Sequence, residues 1–421
     1  MVNALNIAKP KLVFCSEATL KTNLSILRKV SCVEHIVQLA GGVSDEGVQP
    51  LAALEVLDCR LEEFEPEAVC QAQDTAFIFY SSGTTGLPKG VMLTHQNILH
   101  GTSIYNKCVF FYSYANKSKE KVLTVIPWYH VFGLLTTFKY LITGNLVVYL
   151  AEFGHEIFLS TIEKYQISEI LAVPPIVHVL AKSPSVVKYD LSSIRKIRCG
   201  GAPLSADIIN RIFQCYGMTE TTLAIILEPY NCKHSRKTGS CGVPFPGVIV
   251  VDVETREKLG SNEEGEVCIK SPTLMKGYVD NEEATRLMFD EDGFIKTGDI
   301  GYYENDGYFH IIDRLKELIK YKGNQVAPAM VEGVIMAHES VAECGVVGAP
   351  DEVAGELPTA FVVIKPGAEL TEQDLLHFTS ARLSSTSRLR GGVIFLDEIP
   401  KNGSGKILRR ELRNILRLRV K

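Results

Sequence analysis

Tyr80-Ser-Ser-Gly-Thr-Thr-Gly-Leu-Pro-Lys-Gly90 is the most informative stretch of this sequence. Its glycines allow tight backbone bends, so several N–H groups can converge on one anion. The serine and threonine hydroxyls and the Lys89 ammonium add donors for phosphate oxygens. The stretch differs from the P-loop of nucleoside triphosphatases, in which serine or threonine follows the lysine, because Gly90 follows Lys89 here. The composition alone is equally typical of a flexible polar turn.

Short apolar runs lie on both sides of this turn, separated by helix-like segments. Runs of this length between helical patterns predict buried strands of a largely parallel sheet. The predicted strands are Ala76–Tyr80, Val122–Ile126, Leu146–Leu150, Ile170–Val173 and Ile194–Cys199. The stretch Gly247–Ser271 differs, because Val248–Val253 and Glu266–Ile269 flank a turn and predict an antiparallel hairpin.

A domain boundary is expected near Asp313-Arg314, where a polar run begins. The segment beyond it has its own pattern of elements. Its predicted strands are Val341–Val347, Thr359–Ile364 and Val393–Leu396, and its predicted helix is Thr371–Leu383. These elements suffice for a small α+β domain with its own core.

The composition is that of a globular protein. Of the 421 residues, 46% are hydrophobic and 22% are charged, which excludes a largely disordered chain. The net charge of -5 gives no electrostatic reason to expect a nucleic-acid partner. The first residues lack the apolar core of a signal peptide, and no apolar run is long enough to span a bilayer. We therefore expect a soluble intracellular protein of two or three domains.

The 11 cysteines include no Cys-x-x-Cys pair and are scattered along the chain. An unpatterned set in a chain without a signal peptide predicts reduced, mostly buried thiols rather than a zinc or redox site.

Four further motifs follow the glycine-rich turn in order. They are Tyr216-Gly-Met-Thr-Glu-Thr221, Lys296-Thr-Gly-Asp299, Asp313-Arg-Leu-Lys-Glu-Leu-Ile-Lys-Tyr-Lys-Gly323 and Pro400-Lys-Asn-Gly-Ser-Gly-Lys406. Together with residues 80–95, these motifs resemble the adenylate-forming superfamily, whose members include acyl-CoA synthetases, 4-coumarate-CoA ligases and insect luciferases. The resemblance covers nearly the whole chain.

The resemblance implies an α/β fold in two parts. A large N-terminal domain of mostly parallel sheets with a small β unit would be followed by a small, mobile α+β C-terminal domain. Residues 1–313 would form the AMP-binding N-terminal domain, truncated at its start and with a β-rich subdomain at residues 247–312. Residues 314–421 would form the C-terminal AMP-binding domain.

The resemblance also implies an acid:CoA ligase. Such an enzyme uses ATP and Mg²⁺ to convert a carboxylic acid into its acyl-adenylate, and then transfers the acyl group to CoA. Two anions meet in the first step, so the site has to supply positive charge where negative charge builds up. By resemblance, Lys406 supplies that cation, Glu220 binds Mg²⁺, Thr219 contacts the α-phosphate and His130 orients the acid.

The same resemblance implies three binding sites. The ATP or AMP site comprises Ser81, Ser82, Gly83, Thr84, Thr85, Gly86, Lys89, Gly201, Ala202, Tyr216, Gly217, Thr219, Asp299, Arg314, Lys316 and Lys406. The acyl site comprises His130, Phe132, Thr136, Ala202, Gln214 and Cys215. The CoA site comprises Lys320, Lys322 and Gly323. The identity of the acid and the oligomeric state stay open.

Taken singly, these residues also fit structural roles. A histidine in an apolar stretch is more often a core residue, and a lysine in a basic segment such as residues 401–410 is more often solvated. Residues 316–323 could form a charged surface helix, although Lys316 and Lys320 would then repel each other at i, i+4. The order of the five motifs favours the functional interpretation.

Two departures from the family pattern leave a non-catalytic alternative open. The family's first N-terminal stretch is absent before residues 9–42, and residues 204–215 are several residues shorter than the family's helix and strand. Because a displacement of about 1 Å can cost ~10²-fold in rate, a catalytically impaired isoform that acts as a binding protein is one alternative.

A luciferase-like adenylating oxygenase is a further alternative, which two positions disfavour. The arginine that luciferases carry after the phosphate-loop histidine falls at Gly101, and one of their paired histidines is Tyr129 here. Transfer to a carrier-protein thiol is disfavoured because the chain contains no carrier domain. The chain ends in Leu418-Arg-Val-Lys421 rather than Ser-Lys-Leu, so cytoplasmic and peroxisomal locations both stay open.

Overall fold

The chain forms two compact units in a computed structural model. The first comprises Met1–His100 with Pro272–Leu287, and the second comprises Gly101–Ser271 with Met288–Lys421. The structure describes residues 1–41, 46–55, 71–81, 88–103, 119–201, 212–228, 237, 239–401 and 406–419.

The first unit contains two three-stranded sheets. The parallel sheet consists of β1 (Leu12–Cys15), β2 (His35–Gln38) and β3 (Val48–Pro50), accompanied by α1 (Val2–Ala8), α2 (Glu17–Leu27) and α3 (Leu51–Glu55). Helix α2 begins where the Ser16 side chain accepts the backbone N–H of Thr19, which satisfies one of the donors that a helix start leaves unpaired. The second sheet consists of β4 (Thr75–Ser81), β5 (Lys89–Thr94) and the short strand Gly277–Tyr278; a helix over residues 95–103 (α4) follows β5.

The predicted strand Ala76–Tyr80 is present as β4, but its predicted place in a parallel sheet is wrong. It pairs antiparallel with β5, with Ser81 opposite Lys89. Residues 82–88 between the two strands are too few for a parallel connection, which needs a dozen residues or more. Loop length therefore decides the pairing, and the apolar run alone cannot.

The second unit is built on a seven-stranded sheet. Its strands are β6 (Lys121–Thr124), β7 (Leu146–Tyr149), β8 (Glu169–Ala172), β9 (Lys196–Cys199), β10 (Ile212–Gly217), β11 (Ala224–Leu227) and β12 (Val243–Pro244). The first five are parallel to their neighbours, which confirms the largely parallel sheet, and the last two are antiparallel.

Helices cover both faces of this sheet. On one face, Tyr140 of α5 (Val131–Ile142) packs with Val122 and Leu171 of the sheet. On the other face, α6 (His155–Tyr165) and α7 (Pro174–Lys182) pack on apolar side chains of the alternate strand positions. Two covered faces explain why these strands read as continuous apolar runs.

The predicted hairpin in Gly247–Ser271 is confirmed. Strand β13 (Val248–Val251) pairs antiparallel with β14 (Gly265–Ile269). The sheet continues with β16 (Ile295–Tyr303) and β17 (Phe309–Arg314). In chain order, the short strand Gly277–Tyr278 of the first unit is β15. Helix α8 (Glu282–Met288) precedes β16.

The predicted elements of the last segment are also present. The strands are β18 (Ile319–Tyr321), β19 (Asn324–Val326), β20 (Val341–Asp351), β21 (Gly355–Ile364) and β22 (Val393–Phe395), and the helices are α9 (Pro328–Met336), α10 (Glu372–Ser380) and α11 (Arg409–Arg419). Val331, Val346 and Leu375 belong to one buried cluster that joins these elements. In the described part of the chain, no helix is both long and apolar enough to cross a membrane.

The alternative of a surface helix over residues 316–323 is wrong. Residues 319–326 form the antiparallel hairpin β18–β19, in which Tyr321 pairs with Asn324. The two turn residues between them, Lys322 and Gly323, both have positive φ angles of 47° and 79°. Two successive positive φ values are the backbone of the tight hairpin turn that suits twisted strands.

Two glycine substitutions test the packing of these elements. A β-carbon on Gly265 would lie 2.2 Å from the carbonyl oxygen of Val251, whereas one on Gly333, within helix α9, would meet nothing within 4 Å. We expect Gly265→Ala to destabilise the protein by at least about 2 kcal/mol through overpacking. Gly333→Ala should stabilise it by about 1 kcal/mol, since alanine favours helix more than glycine does.

The measurement is urea unfolding of both variants beside the unsubstituted chain. Equal effects of the two substitutions would contradict the described packing of β13 on β14.

Candidate active site

Lys406 lies beside Gly201 in the second unit. The Cε atom of Lys406 is 3.8 Å from the position that a β-carbon would take on Gly201. Gly201 has a φ of +88°, a left-handed backbone that favours glycine. Lys406 is accessible to solvent, yet protein surrounds it closely enough to lower the pKa of its ammonium.

Three other charged groups share the surroundings of Lys406. Besides burial, the Arg314 guanidinium lowers the pKa of Lys406, whereas the carboxylates of Asp299 and Glu220 act in the opposite direction. We call Lys406, Arg314, Asp299 and Glu220 the Lys406 cluster. Two cations and two carboxylates are thus drawn together from motifs that lie far apart in the sequence.

Asp299 is the best-anchored member of the Lys406 cluster. It lies on β16 directly opposite Arg314 of β17, whose Nε is 3.3 Å from Asp299 Oδ1. The Tyr216 hydroxyl donates to Asp299 Oδ2 at 2.6 Å. Burial raises the pKa of Asp299, and Arg314, Tyr216 and Lys406 each oppose that rise. The carboxylate is therefore held in place by two strands and one phenol.

Glu220 lies in a single 3₁₀ turn, Thr219–Thr221, that follows β10. The turn is fixed by Thr221, whose hydroxyl accepts the Met218 N–H at 3.0 Å, and Glu220 is 3% exposed. Gly217 at the end of β10 is also required, because a β-carbon there would lie 2.5 Å from the Leu223 carbonyl oxygen. Among the described residues, no group of three or more histidine, cysteine or acidic side chains could hold a metal.

His130 and Phe132 stand at the start of α5. His130 is the residue before the helix, and burial, followed by the Lys406 ammonium, lowers the pKa of its imidazole. A β-carbon on Gly200 would lie 2.8 Å from Cys215 Sγ and 3.7 Å from Phe132 Cε1. His130, Phe132 and Cys215 therefore line the region next to Gly200 and Gly201.

Cys215 lines that wall as an unreactive thiol. Burial raises the pKa of Cys215 to about 11. Since the thiolate is the nucleophile, such a thiol is a poor acyl acceptor. The seven cysteines in the described part are free and four of them are buried, in agreement with the prediction of reduced thiols.

Two other predicted acyl-site residues lie on the same elements as Cys215 and Phe132. Gln214 pairs with Cys199, which packs on the α6–α7 side of the sheet, so its side chain points away from Cys215. Thr136 is 1% exposed and follows Phe132 by one turn on the same side of α5. The amide nitrogen of Gln214 and the hydroxyl of Thr136 have no hydrogen-bond partner among the described residues. Ala202 lies outside the described residues.

The glycine-rich turn is described only at its two ends, in the first unit. Ser81 and Lys89 are paired across β4 and β5, and the Lys89 ammonium lies 4.8 Å from the centre of the Tyr278 ring. A β-carbon on Gly90 would meet Ile7 at 2.6 Å, which explains the glycine after the lysine. Ser82, Gly83, Thr84, Thr85 and Gly86 lie outside the described residues.

The predicted CoA residues lie on the β18–β19 hairpin. Lys320, Lys322 and Gly323 are all exposed, and so is Lys316 before the hairpin. The Lys320 N–H donates to Glu356 at 2.8 Å. The hairpin therefore presents two lysines to solvent, and Lys316 precedes it by a short stretch.

Sequence reasoning missed the residues that hold the segment after Lys406. Arg409, at the start of α11, binds both carboxylate oxygens of Glu332 at 2.7 and 2.8 Å, and Glu332 also accepts the Val346 N–H. The Leu408 N–H donates to the Pro400 carbonyl oxygen, closing the base of the Lys406 loop. Glu332 lies in α9, outside every motif, so no local signal in the sequence points to it.

The family comparisons match both parts of the chain. A family model described as AMP-binding enzyme matches residues 1–279, and one described as AMP-binding enzyme C-terminal domain matches residues 330–406. Luciferin 4-monooxygenase from Nipponoluciola cruciata is 42% identical over 434 residues, covering 99% of this chain and 78% of that protein. Probable 4-coumarate–CoA ligase 3 from Dictyostelium discoideum is 42% identical over 361 residues, covering 83% of this chain and 64% of that protein.

Solved structures agree with these relatives. ATP-bound MatB from Rhodopseudomonas palustris matches with a TM-score of 0.86 and 29% identity, over 100% of this chain and 82% of that chain. O-succinylbenzoate coenzyme A synthetase (MenE) from Bacillus subtilis, in complex with ATP and magnesium, matches with a TM-score of 0.79 and 28% identity, over 98% and 81% of the two chains. The likenesses confirm the predicted α/β fold with mixed sheets and a separate C-terminal region.

Tyr216→Phe tests the geometry around Asp299 without any ligand. The Tyr216 hydroxyl lowers the pKa of Asp299, so its removal should move the titration of that carboxyl to higher pH. The measurement is NMR titration of the chain labelled with ¹³C at the aspartate carboxyl carbons, with Asp299→Asn to assign the signal. A titration unchanged in Tyr216→Phe would contradict the hydrogen bond.

Proposed function

Because the chain belongs to the AMP-binding enzyme family, we propose that it uses ATP to activate a carboxylic acid as an acyl-adenylate and then transfers the acyl group to CoA. In the first step, a carboxylate oxygen attacks the α-phosphorus of ATP and pyrophosphate leaves. In the second, the CoA thiol attacks the acyl carbonyl and AMP leaves. The proposal rests on one observation above all, the meeting of Lys406 and Arg314 with Asp299 and Glu220.

Lys406 is the catalytic cation of the first step. The reacting carboxylate and the α-phosphate repel each other, and a fixed ammonium between them offsets that repulsion in the transition state. The lowered pKa of Lys406 reflects a site whose surroundings disfavour an uncompensated positive charge. A bound anionic substrate would restore the charged form, so substrate binding and protonation of Lys406 support each other.

Asp299 and Tyr216 bind the nucleoside. A carboxylate that is held by Arg314 and Tyr216 keeps fixed lone pairs for the two ribose hydroxyls. A β-carbon at Gly200 would already be too close to Cys215. Without side chains, Gly200 and Gly201 let the adenine and acyl groups approach the backbone there. His130 and Phe132 then stand on the acyl side of the nucleotide.

Glu220 fits a magnesium ion. It is a single buried carboxylate near the Lys406 ammonium, and Mg²⁺ prefers one or two carboxylates together with phosphate oxygens and water. When bound, the ion neutralises phosphate charge during pyrophosphate departure. Thr219, beside Glu220, would donate to the α-phosphate.

CoA transfer requires the thiol to reach the adenylate after Lys406 has acted. We assign residues 1–313 and 314–421 to two domains and propose that the second rotates about Asp313–Lys316 between the steps. The exposed β18–β19 hairpin then brings Lys320, Lys322 and Gly323 toward CoA. Lys320 and Lys322 would pair with CoA phosphates.

A luciferase-like oxygenase is the second candidate, favoured by the identity to luciferin 4-monooxygenase. It shares the adenylation step and differs only in the acceptor, which is oxygen instead of CoA. Gly101 and Tyr129 stand where luciferases carry arginine and histidine, and this difference favours CoA. A non-catalytic binding protein is the third reading and predicts no adenylation at all.

Lys406→Ala tests the catalytic assignment. We expect ATP–pyrophosphate exchange to fall by ~10²–10³-fold, because a fixed donor to the developing charge is lost. Thioester formation from a preformed acyl-adenylate and CoA should persist. Lys401→Ala is the matched control, since Lys401 lies at the base of the same loop and pairs with Glu343 at 2.6 Å. Full exchange activity in Lys406→Ala would refute the assignment.

The acceptor is tested with a panel of medium-chain, long-chain and cinnamate-type acids. We expect at least one acid to support pyrophosphate exchange with Mg²⁺ and to yield a CoA thioester when CoA is added. Oxygen consumption with light from luciferin, without thioester formation, would favour the oxygenase. The absence of exchange with every acid by a folded protein would favour the binding protein.

A further inference from the structure

A fully buried group of charges lies between helix α5 and the seven-stranded sheet. Glu169 of β8, Arg198 of β9 and Lys139 and Tyr140 of α5 are between 1% and 3% exposed. Charged side chains are rarely this buried without a specific arrangement of partners. None of these four residues belongs to the motifs or to the Lys406 cluster.

Glu169 joins the helix to the sheet in this group. Its Oε1 oxygen accepts hydrogen bonds from the Tyr140 hydroxyl, at 2.5 Å, and from Arg198 Nε. The Lys139 ammonium lies 4.1 Å from the centre of the Tyr140 ring. One carboxylate oxygen thus ties together α5, β8 and β9.

The group lies directly behind the acyl wall. Arg198 is two residues before Gly200 on the same face of the sheet, and it lies opposite Phe213, two residues before Cys215. On α5, Phe132 and Tyr140 are two turns apart on one side of the helix and belong to the same apolar cluster. The face of the sheet and the side of α5 that meet at Gly200 are therefore the same face and side that Glu169 connects.

Glu169 is ionised in this setting. Burial alone would raise the pKa of its carboxyl, but the Arg198 cation, Lys139 and the Tyr140 hydroxyl outweigh burial and hold the pKa at about 2. Burial and the neighbouring Arg198 cation lower the pKa of Lys139 itself, so Arg198, which is bonded directly to Glu169, is the main counter-charge. A buried carboxylate with such partners stabilises a fold little compared with apolar packing, yet it fixes the relative position of the groups that it bonds. Removal of one partner leaves the others buried and uncompensated.

We propose that Glu169 is a positioning residue for the acid: by holding α5 on β9, it sets the separation between Phe132 and His130 on one side and Gly200 and Cys215 on the other. This inference rests on the proposed acid activation for its kinetic test, but the placement of α5 is tested without activity. Misplacement by about 1 Å is enough to lower a rate ~10²-fold.

The test is Glu169→Gln, measured by steady-state pyrophosphate exchange. We expect the KM for the acid to rise by about 10- to 100-fold while the KM for ATP changes less than about twofold, because Asp299 and Arg314 lie on other strands. Equal increases in both constants would indicate a general structural role and overturn the proposal, and so would an unchanged KM for the acid.

Glu120→Gln is the matched control. Glu120 also binds two cations, Lys196 of β9 at 3.4 Å and Arg195 just before it at 2.7 Å. It precedes β6, however, and so lies at the opposite end of the sheet from Gly200. We expect its variant to keep the KM for the acid. An equal rise in the Glu120 variant would contradict a specific role for Glu169.

Two further measurements keep the proposal decidable if Glu169→Gln folds poorly or the wild-type chain lacks exchange activity. Tyr140→Phe removes only the phenol hydrogen bond and should raise the KM for the acid in the same direction by a smaller factor. Hydrogen–deuterium exchange should increase in residues 131–142 of the Glu169 and Tyr140 variants, with residues 155–165 of α6 unchanged. No increase in residues 131–142 would overturn the proposal, whereas an increase in a chain without exchange activity would locate the failure in the proposed function instead.

Discussion

Electrostatic repulsion between two anionic reactants is the constraint on which the proposed function of the second unit depends. A carboxylate and a triphosphate approach each other only where fixed cations offset their charge. In the proposed mechanism Lys406 and Arg314 supply two such cations; Asp299 pairs with Arg314, and both Asp299 and Glu220 act on the Lys406 ammonium. Burial at this site lowers the pKa of Lys406 and raises the pKa of Asp299.

The fold supplies Asp299 and Arg314 of the proposed site from rigid strands. Asp299 and Arg314 are opposite one another on paired strands, and Tyr216 reaches Asp299 from β10 of the large sheet. Lys406 itself comes from a loop, whose base is closed by the Leu408–Pro400 hydrogen bond and secured by the Arg409–Glu332 pair. Loops that carry catalytic groups need such supports, because an unsupported lysine would lose its position.

Sequence patterns predicted the strands well wherever local chemistry decides them. The apolar runs around Val122, Ile170 and Ile197 form the parallel sheet, and the hairpin at β13–β14 follows its turn. The pairing of Ala76–Tyr80 was wrong because an apolar run carries no information on direction, which the short connection to β5 supplies. The sequence did not predict the hairpin turn at Lys322-Gly323, because lysine rarely adopts a positive φ.

The candidate site was predicted mainly through motif order. That order brought Asp299, Arg314 and Lys406 together in the prediction, and the structure places them together in one unit. Gln214 and Cys215 are adjacent in the sequence, but successive side chains of a strand point to opposite faces of the sheet, so the two side chains are separated. This separation was predictable from the alternation of a strand. Glu169, Arg198 and Tyr140 come from three elements, so their meeting depends on tertiary packing and left no trace in the sequence.

Chemical rescue at residue 406 tests the central claim most directly. In Lys406→Cys, reaction with 2-bromoethylamine joins an aminoethyl group to the thiol with loss of bromide, which restores an ammonium near the original position. The account predicts that adenylation, lost in the variant, returns after this treatment and not after neutral alkylation with iodoacetamide, with the treated wild-type chain as reference. Equal recovery with the neutral group, or none with the cation at complete labelling, would contradict it.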